Sequence, residues 1–518
     1  MPINTKALPM TLVLLSSMLG FLLLITTPHG LAQSPDSVGY LKAAQGLLQG
    51  LGFEYVNNHW PPLYPLLISL VGLLTGGDVL TAARLLQAGV LFSVCLLFAK
   101  LLLKRDLLHR WAAWVSLIVI AMPISAHIFY FAWTEPLYIL FMLLNFTCLF
   151  NIIEQQAVER SHYLYYFVLG LTASLAFLSR YIGITLIIFD CAILLLFLLL
   201  KNIHINKIFV ASAVLPLLLT LPPWLIHSIA VIKQPTTREI FWHPIDLTQI
   251  IGGLTTIGRW AFPWDTFGAN FGFILGVMII ILDCLVLVRS VKLRHENILH
   301  RYQIIIIAYS FLYIAFLIFS ISFIDRATPL DDRILFPVYI CQCLSWAFCI
   351  PIKKPRLAIF IIATWLASLS FYALVDFNHW VRLNYFSGVE LANHHLRNRA
   401  VLQYLKTCGA NVRIVTDTPW EFDLYLPQKT TWLPRAYDMT SGKKNYNYRV
   451  ELERLGESFD LIIVTTPNSP AISVFDQSDK FKKTHQSREA QVWAAVDFAD
   501  CSSTLQPRDT PLSGKGQG

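Results

Sequence analysis

Long apolar stretches recur along most of the first 375 positions of this sequence, many of them about 18 residues or longer. A helix needs a stretch of that length, with few charges, to cross the hydrocarbon core of a bilayer. Only 14% of the 518 residues are charged and 55% are hydrophobic, whereas soluble domains carry about 25% charged residues. This excludes a soluble globular protein, a disordered chain and a small disulfide-stapled scaffold. The sequence predicts an α-helical polytopic membrane protein.

Lys and Arg in the short loops orient the predicted spans, because basic residues accumulate on the cytoplasmic side. Leu63–Leu74 is too short to cross a core about 30 Å thick, so we interpret it as an interfacial or re-entrant helix. With a cytoplasmic N-terminus, the inner loops hold 15 Lys and Arg and the outer connections 7. The net charge of +8 therefore reports orientation, and nucleic acid is not an expected partner. The eleven predicted spans are Met10–Thr27, Val79–Ala99, Trp111–Ile128, Pro136–Ile153, Tyr163–Leu178, Tyr181–Leu200, Ile208–Ile226, Phe271–Val288, Ile304–Phe323, Ile334–Ile350 and Leu357–Val375.

The first span has a competing interpretation as a signal peptide. Gly30-Leu31-Ala32 resembles a small-residue cleavage site that would remove residues 1–32. The apolar run Met10–Thr27 is longer than the 7–15 residues of a typical signal core, so we expect a retained helix. In both cases residue 28 onward starts outside, and residues 28–78 form a first extracytoplasmic loop with amphipathic helices.

Beyond the last span the composition becomes mixed and polar. Residues 376–500 contain the helix-like segment Val389–Lys406 and the strand-like segments Val412–Thr416 and Leu461–Thr465. They predict a small α/β extracytoplasmic domain. The tail 501–518 is rich in Ser, Pro, Gly and charge and is expected to be disordered.

Two of the nine cysteines, Cys408 and Cys501, fall in this outer region. They would be able to form a disulfide if the outer compartment is oxidising. The other seven lie in predicted spans, where they are expected to act as apolar filler.

Charged residues at the outer ends of predicted helices are the candidates for a functional site. A charge near hydrocarbon is costly unless it is paired or lines an aqueous cavity. Asp36 follows the first span; alternatively it caps, or complements the dipole of, the helix after it. Snorkelling or a cross-helix ion pair would explain Arg84, Glu135, Arg180 or Arg333 singly. Together, two acids and three arginines on one membrane face suit a reaction between a lipid phosphate and a hydroxyl or amine.

Aromatic and proline residues accompany these charges in the first outer loop. The run Asn58-His59-Trp60-Pro61-Pro62-Leu63-Tyr64-Pro65 predicts a stiff amphipathic element at headgroup depth. A rigid interfacial turn with no further role would explain the same run.

The ordered series of motifs resembles the GT-C glycosyltransferases over roughly residues 1–375. It comprises an acid after the first span, the Pro-Pro-Leu-Tyr-Pro run, Arg84, Thr134-Glu135-Pro136 and Arg180-Tyr181. Within that family it is closest to the branch of the protein O-mannosyltransferases and aminoarabinose transferases. An outer C-terminal domain is also common there.

The resemblance implies transfer of a hexosyl or pentosyl group, with inversion, from a polyprenyl-phosphate donor to a lipid, glycan or protein acceptor. The reaction would take place at the outer face of a bacterial plasma membrane. Asp36 stands at the position of the family's catalytic carboxylate. The donor phosphate or the acceptor would be bound by the remaining candidates, which are Arg84, Glu135, Arg180, Arg333, Tyr40, His59 and Tyr64.

Two departures from the family pattern concern the donor and a metal ion. Many relatives have a second acid after the first, where this chain has Ser37, and some have a Lys near the Pro-Pro run, where it has His59 and Trp60. No cluster has metal-ligand spacing, so the use of a divalent metal stays open.

Two other classes of function also stay open. A transporter or flippase of lipid-linked glycans would show repeats and acids at mid-membrane. No repeat is evident, and Asp190 and Asp283 are the only acids well inside the predicted spans. In a non-catalytic assembly subunit, Asp36 would be a simple helix cap.

Overall fold

The computed structural model divides into two compact units, residues 1–390 and 391–518. The predicted tail 501–518 and His59 lie outside the residues that the structure describes. Those residues are 10–52, 60–104, 115–116, 118–120, 122–156, 163–199, 207–232, 240, 242–263, 268–349, 356–409, 411–426, 428, 430–437, 444–455, 458–487, 490–496 and 498.

The first unit is built from helices, which confirms the prediction of a helical membrane protein. A 3-10 turn at Tyr181–Gly183 precedes α8. The helices are α1 Met10–Thr26, α2 Pro35–Leu48, α3 Leu63–Gly72, α4 Val79–Leu103, α5 Pro123–Tyr130, α6 Glu135–Gln156, α7 Tyr163–Ser179, α8 Ile184–Leu199, α9 Lys207–Ile232, α10 Leu247–Ala261, α11 Gly268–Lys292, α12 Ile298–Phe323, α13 Phe336–Cys349 and α14 Arg356–Phe386.

Five helices in the described part of the chain are long and apolar enough to cross a membrane: α4, α6, α9, α11 and α12. Shorter apolar helices cover several other predicted spans, and the count of eleven stays a prediction. The predicted span Trp111–Ile128 lies partly outside the described residues, and α5 covers its last part. The helix α3 has 10 residues, about 15 Å at 1.5 Å per residue, which is too short to cross a bilayer.

Helices α10 and α11 approach each other closely because glycines line their contact. A Cβ at Gly258 would lie 1.9 Å from the Gly272 carbonyl oxygen, and a Cβ at Gly276 would lie 1.9 Å from that of Leu254. Small residues permit such backbone contact between helices in membranes. The close approach matters for the site because α10 carries Trp260, which contacts the segment before α13.

The second unit contains a mixed five-stranded sheet of order β2-β1-β3-β5-β4. Strand β1 pairs in parallel with β2 and β3, whereas β5 pairs antiparallel with β3 and β4. The strands are β1 Ile414–Thr416, β2 Thr430–Trp432, β3 Leu461–Val464, β4 Phe481–Gln486 and β5 Gln491–Ala495. The helices are α15 Ala400–Thr407, α16 Tyr448–Arg454 and α17 Pro470–Asp476, with helical turns at His394–Arg397 and Trp420–Asp423.

Alternate residues of the central strands pack on opposite faces of this sheet, as the pleat requires. Ile463 belongs to the cluster that contains Leu402 of α15, and Ile462 to the cluster that contains Leu452 of α16 and Phe475 of α17. Helices therefore cover both faces, which gives a three-layer α/β arrangement.

The boundary between the units lies beyond residue 375, because α14 continues to Phe386 and the division falls after Glu390. The single helix predicted over Val389–Lys406 is wrong. Glu390 has a positive φ of 51°, and Asn393 starts a separate turn by accepting the His395 N–H. Cys408 is disulfide-bonded, while Cys501 lies outside the described residues.

We predict that Gly276→Ala destabilises the protein by about 1–3 kcal/mol or more, because its methyl group would overlap the Leu254 carbonyl. Gly252→Ala on α10 is the control, since a Cβ there meets nothing within 4 Å and alanine favours a helix. The temperature at which each detergent-purified variant unfolds and aggregates gives its thermal stability. Equal melting temperatures would show that the two helices do not pack in this way.

Candidate functional site

A short backbone pairing places the beginnings of α2 and α6 side by side. The Ala32 N–H donates to the Tyr130 carbonyl at 2.9 Å, and the Ala132 N–H donates to the Ala32 carbonyl at 3.0 Å. Only a few residues separate this pairing from the start of either helix. The first turns of α2 and α6, which carry Asp36 and Glu135, therefore begin next to each other.

Glu135 is the buried centre of the site, with a side chain that is only 1% exposed. Its Oε1 accepts from the Arg333 Nε at 2.5 Å and is also paired with the Arg180 guanidinium. Arg180 follows the end of α7, and Arg333 lies in the turn before α13. A buried carboxylate requires such partners, because it has lost its hydration.

Asp36 is the second acid bound to Arg333, and it is the more accessible one. Its Oδ2 lies 2.7 Å from the Arg333 Nη1, and its side chain is 34% exposed. Helix α2 is capped by Ser34, whose hydroxyl accepts the Ser37 N–H in a capping box. Because Ser34 caps the helix, the Asp36 carboxylate is not used as the N-cap and points to the site instead.

The four side chains form a cluster without net charge, in which two guanidinium groups face two carboxylates. Burial opposes the charge of Arg180, but the Glu135 carboxylate outweighs it and raises the pKa of Arg180. Burial likewise opposes the charge of Arg333, yet Glu135 and then Asp36 raise its pKa. Both arginines thus remain charged, and a charged guanidinium can donate two parallel hydrogen bonds to an anion.

Aromatic residues hold Arg333 and Asp36 in place. The Arg333 guanidinium carbon lies 4.3 Å from the centre of the Trp133 ring, which favours a cation. The Trp133 indole N–H donates to the Ser34 hydroxyl at 2.7 Å, so one side chain contacts both the cap of α2 and the arginine. Sequence reasoning missed Trp133, although it directly precedes Thr134-Glu135.

The two acids before Arg333 accept hydrogen bonds from different partners. Asp331 accepts the Ile334 N–H at 3.0 Å, and Asp332 accepts the Trp260 indole N–H at 2.9 Å. Trp260 thereby fixes the Arg333 segment to α10. No sequence pattern pointed to this contact, since the two residues lie far apart in the chain.

Tyr40 and Tyr64 form an aromatic wall beside the cluster. The Tyr40 ring packs edge-on against Trp60 at 5.4 Å and against Tyr64 at 5.5 Å. Burial, followed by the Asp36 carboxylate, raises the pKa of Tyr40, so its phenol stays protonated. Gly39 makes room for this wall, because a Cβ there would lie 2.4 Å from the Trp60 ring.

Arg84 lies apart from the cluster, in contrast to the expected meeting of three arginines. Its Nη2 donates to the Leu24 carbonyl at 2.6 Å and its Nε to the Thr27 hydroxyl at 3.3 Å. These groups belong to the C-terminal end of α1, where a cation is stabilised by the helix dipole. A guanidinium in that position connects α1 to α4.

An apolar cavity of about 80 Å³ adjoins the Arg333 segment. Trp260, which binds Asp332, is part of its wall, so the cavity begins near the charged cluster. The lining residues are Val115, Ile118, Val119, Met122, Trp260, Tyr339, Gln342, Cys343, Trp346, Ala347, Trp365, Leu366 and Leu369. Such a lining suits a hydrocarbon chain.

The donor set of the site does not fit a divalent cation. Across the described residues, no three His, Cys, Asp or Glu side chains are grouped so that they could hold a metal ion. Asp36 and Glu135 are both engaged by guanidinium groups, whose charge opposes a second cation nearby. We therefore derive no step through a metal ion.

The fold is similar to that of two solved oligosaccharyltransferase structures from Archaeoglobus fulgidus. One is a complex with Zn and sulfate, with a TM-score of 0.54 and 10% identity over 88% of this chain and 68% of that chain. The other, AglB with an inhibitory peptide and a dolichol-phosphate, has a TM-score of 0.54 and 10% identity over 88% of this chain and 69% of that chain. This likeness shows that the chain has the GT-C fold.

ArnT from Cupriavidus metallidurans bound to undecaprenyl phosphate gives a TM-score of 0.49 and 12% identity over 97% of this chain and 100% of that chain. At that TM-score the similarity carries no further argument. No family model matches the sequence, and no curated protein matches it.

We predict that Glu135→Gln destabilises the protein by about 3–5 kcal/mol, because two largely buried guanidinium groups then keep their charge without the buried Glu135 carboxylate. Asp246→Asn is the control. Asp246 pairs with Arg326 where both side chains are about half exposed, so the loss of that ion pair costs about 1 kcal/mol or less. Thermal stability in detergent separates the two variants; a larger loss for Asp246→Asn would contradict the buried pair.

Proposed function

We propose that this GT-C protein is a membrane glycosyltransferase that moves a sugar from a polyprenyl-phosphate donor to an acceptor at the outer face of the membrane. The observation that carries the proposal is the cluster of Asp36, Glu135, Arg180 and Arg333, which come together near the ends of their helices. It combines an accessible carboxylate with charged guanidinium groups.

In the proposed reaction Asp36 is the general base. The acceptor oxygen attacks the anomeric carbon while its proton passes to the Asp36 carboxylate. The bond between that carbon and the phosphate oxygen breaks, and the electron pair leaves with the lipid phosphate, which inverts the configuration. Asp36 suits this task because it is the exposed acid of the two, and a base at this position contributes about 10²–10⁴ in rate.

Arg333 and Arg180 would stabilise the negative charge that develops on the leaving phosphate. Glu135 is a positioning residue in this scheme, since it binds both guanidinium groups and is itself buried. When the donor phosphate arrives, Arg333 gains a third anionic ligand beside Glu135 and Asp36, and its hold on Asp36 weakens. The base would therefore be released as the donor binds.

The apolar cavity beside Trp260 supports a lipid-linked donor. It would take isoprene units next to the phosphate, because it is apolar and adjoins the segment that carries Arg333. Tyr40, which lies beside Asp36 and packs against Tyr64, would line the reacting centre.

Glycan transport is supported less well by the same geometry. Asp190 and Asp283, the acids within the spans, accept from neutral amides, Asn145 at 2.8 Å and Gln342 at 3.2 Å. The cationic and anionic groups that suit phosphate chemistry are collected at the helix ends instead.

We predict that Asp36→Asn lowers sugar transfer by about 10²–10⁴-fold while the protein still accumulates in the membrane. Asp78→Asn is the control, because Asp78 caps α4 by accepting the Leu80 N–H and asparagine caps a helix equally well. Mass spectrometry of surface glycans in a complemented deletion strain measures transfer. Wild-type glycans with Asp36→Asn would reject Asp36 as the base.

We further predict that the site faces outward and that the N-terminus is cytoplasmic. In a variant without the seven cysteines that are free in the described part of the chain, a cysteine at Asp78 reacts with an impermeant thiol reagent in intact cells. A cysteine at Glu296 reacts only after the cells are permeabilised. The opposite labelling pattern would reverse the proposed orientation.

A further inference from the structure

The loops that follow the parallel strands of the second unit lie at one edge of its sheet, and we call the space between these loops the crevice. Strands β2, β1 and β3 are parallel and adjacent, so their carboxyl ends lie at the same edge. From β1 the chain continues to β2 on one side, whereas from β3 it continues to β4 and β5 on the other. Open α/β sheets bind ligands where the connections diverge in this way.

Asp417 connects two of the loops that border this crevice. Its Oδ1 accepts the Thr465 N–H at 2.9 Å, and its Oδ2 accepts the Thr466 N–H at 2.8 Å. The hydroxyls of Thr418 and Thr465 lie 2.8 Å apart. The loops after β1 and β3 are therefore tied together, and two threonine hydroxyls lie beside the carboxylate.

Two tryptophan rings lie beside the crevice at the end of β2. Trp432 is the last residue of β2 and is 44% exposed. The Trp420 ring lies 4.7 Å from Trp432 with the two planes at 61°, and the Arg435 guanidinium carbon lies 3.9 Å from the centre of the Trp432 ring. Large exposed aromatics beside a charged group mark binding surfaces, because leaving them in water is costly.

We propose that this crevice, formed by Asp417, Trp420, Trp432 and Arg435, is a binding site for a sugar residue of a glycan. The C–H face of a pyranose ring packs against an indole, and its hydroxyls need donors and acceptors around the ring. The indole surface is supplied by Trp420 and Trp432. The hydrogen-bond donors and acceptors are supplied by Arg435, Asp417 and the adjoining threonines. The site stands apart from the transfer reaction and does not rest on it.

A sugar fits this surface better than a lipid headgroup layer does. The two indole planes meet at 61°, and Asp417 lies three residues before Trp420, so apolar rings and an acidic group occur together at this edge. Interfacial membrane anchors instead project aromatic and basic side chains outward. Two angled indole rings close to both donors and acceptors match a sugar ring, which has an apolar face and a polar rim.

The test measures binding of the full-length protein to a printed glycan array, in detergent and again in lipid nanodiscs. We expect saturable binding to a subset of the glycans in both. Trp432→Ala and Arg435→Ala each lower the apparent affinity by about tenfold. Val496→Ala is the control, because it removes an exposed apolar side chain from the opposite end of the sheet.

Three outcomes would overturn the proposal. In the first, no glycan on the array binds the wild-type protein. In the second, both variants bind as the wild type does while their thermal stability is unchanged. In the third, binding in detergent disappears in nanodiscs, which would mean that the crevice lies on the membrane. If Trp432→Ala unfolds the protein, Arg435→Ala decides the outcome, because that variant leaves strand β2 unchanged.

Discussion

The burial of one carboxylate, that of Glu135, determines the arrangement of this site. A desolvated carboxylate is stable only with charged or hydrogen-bonding partners, and here Arg180 and Arg333 supply them. These arginines come from segments that are distant in sequence, so the pairing also joins the ends of α6, α7 and α13. Asp36 completes the charge balance from α2. Packing of these helix ends and assembly of the site therefore depend on the same ion pairs.

Much of the helical unit was predictable from the sequence because hydrocarbon permits few alternatives to a helix. Asp36, Glu135, Arg180 and Arg333 stood out for a related reason, since charges at helix ends need an explanation. Arg84 satisfied the same criterion but contacts the end of α1. A sequence predicts where along a helix a residue lies. It does not predict which face of an apolar helix the residue occupies, because the surrounding residues are apolar on all sides.

The contacts that refine the site could not be predicted in the same way. The indole hydrogen bonds of Trp133 and Trp260 join partners separated by many tens of residues, and an isolated tryptophan gives no periodic signal. The sheet of the second unit poses another difficulty. Strands β1 and β2 have three residues each, which is too short for an alternating pattern to show their pairing or order.

The charge balance of the cluster has a consequence for selectivity inside a membrane. Phospholipids surround the protein with phosphate groups in vast excess over any dedicated carrier lipid. A site with surplus positive charge would be occupied by them continually. Two guanidinium groups matched by two carboxylates leave no such surplus, so an ordinary headgroup must compete with Asp36 for Arg333 without contacts elsewhere to help it. In the proposed reaction, this charge balance would therefore disfavour the bulk lipid before any contact with the sugar is made.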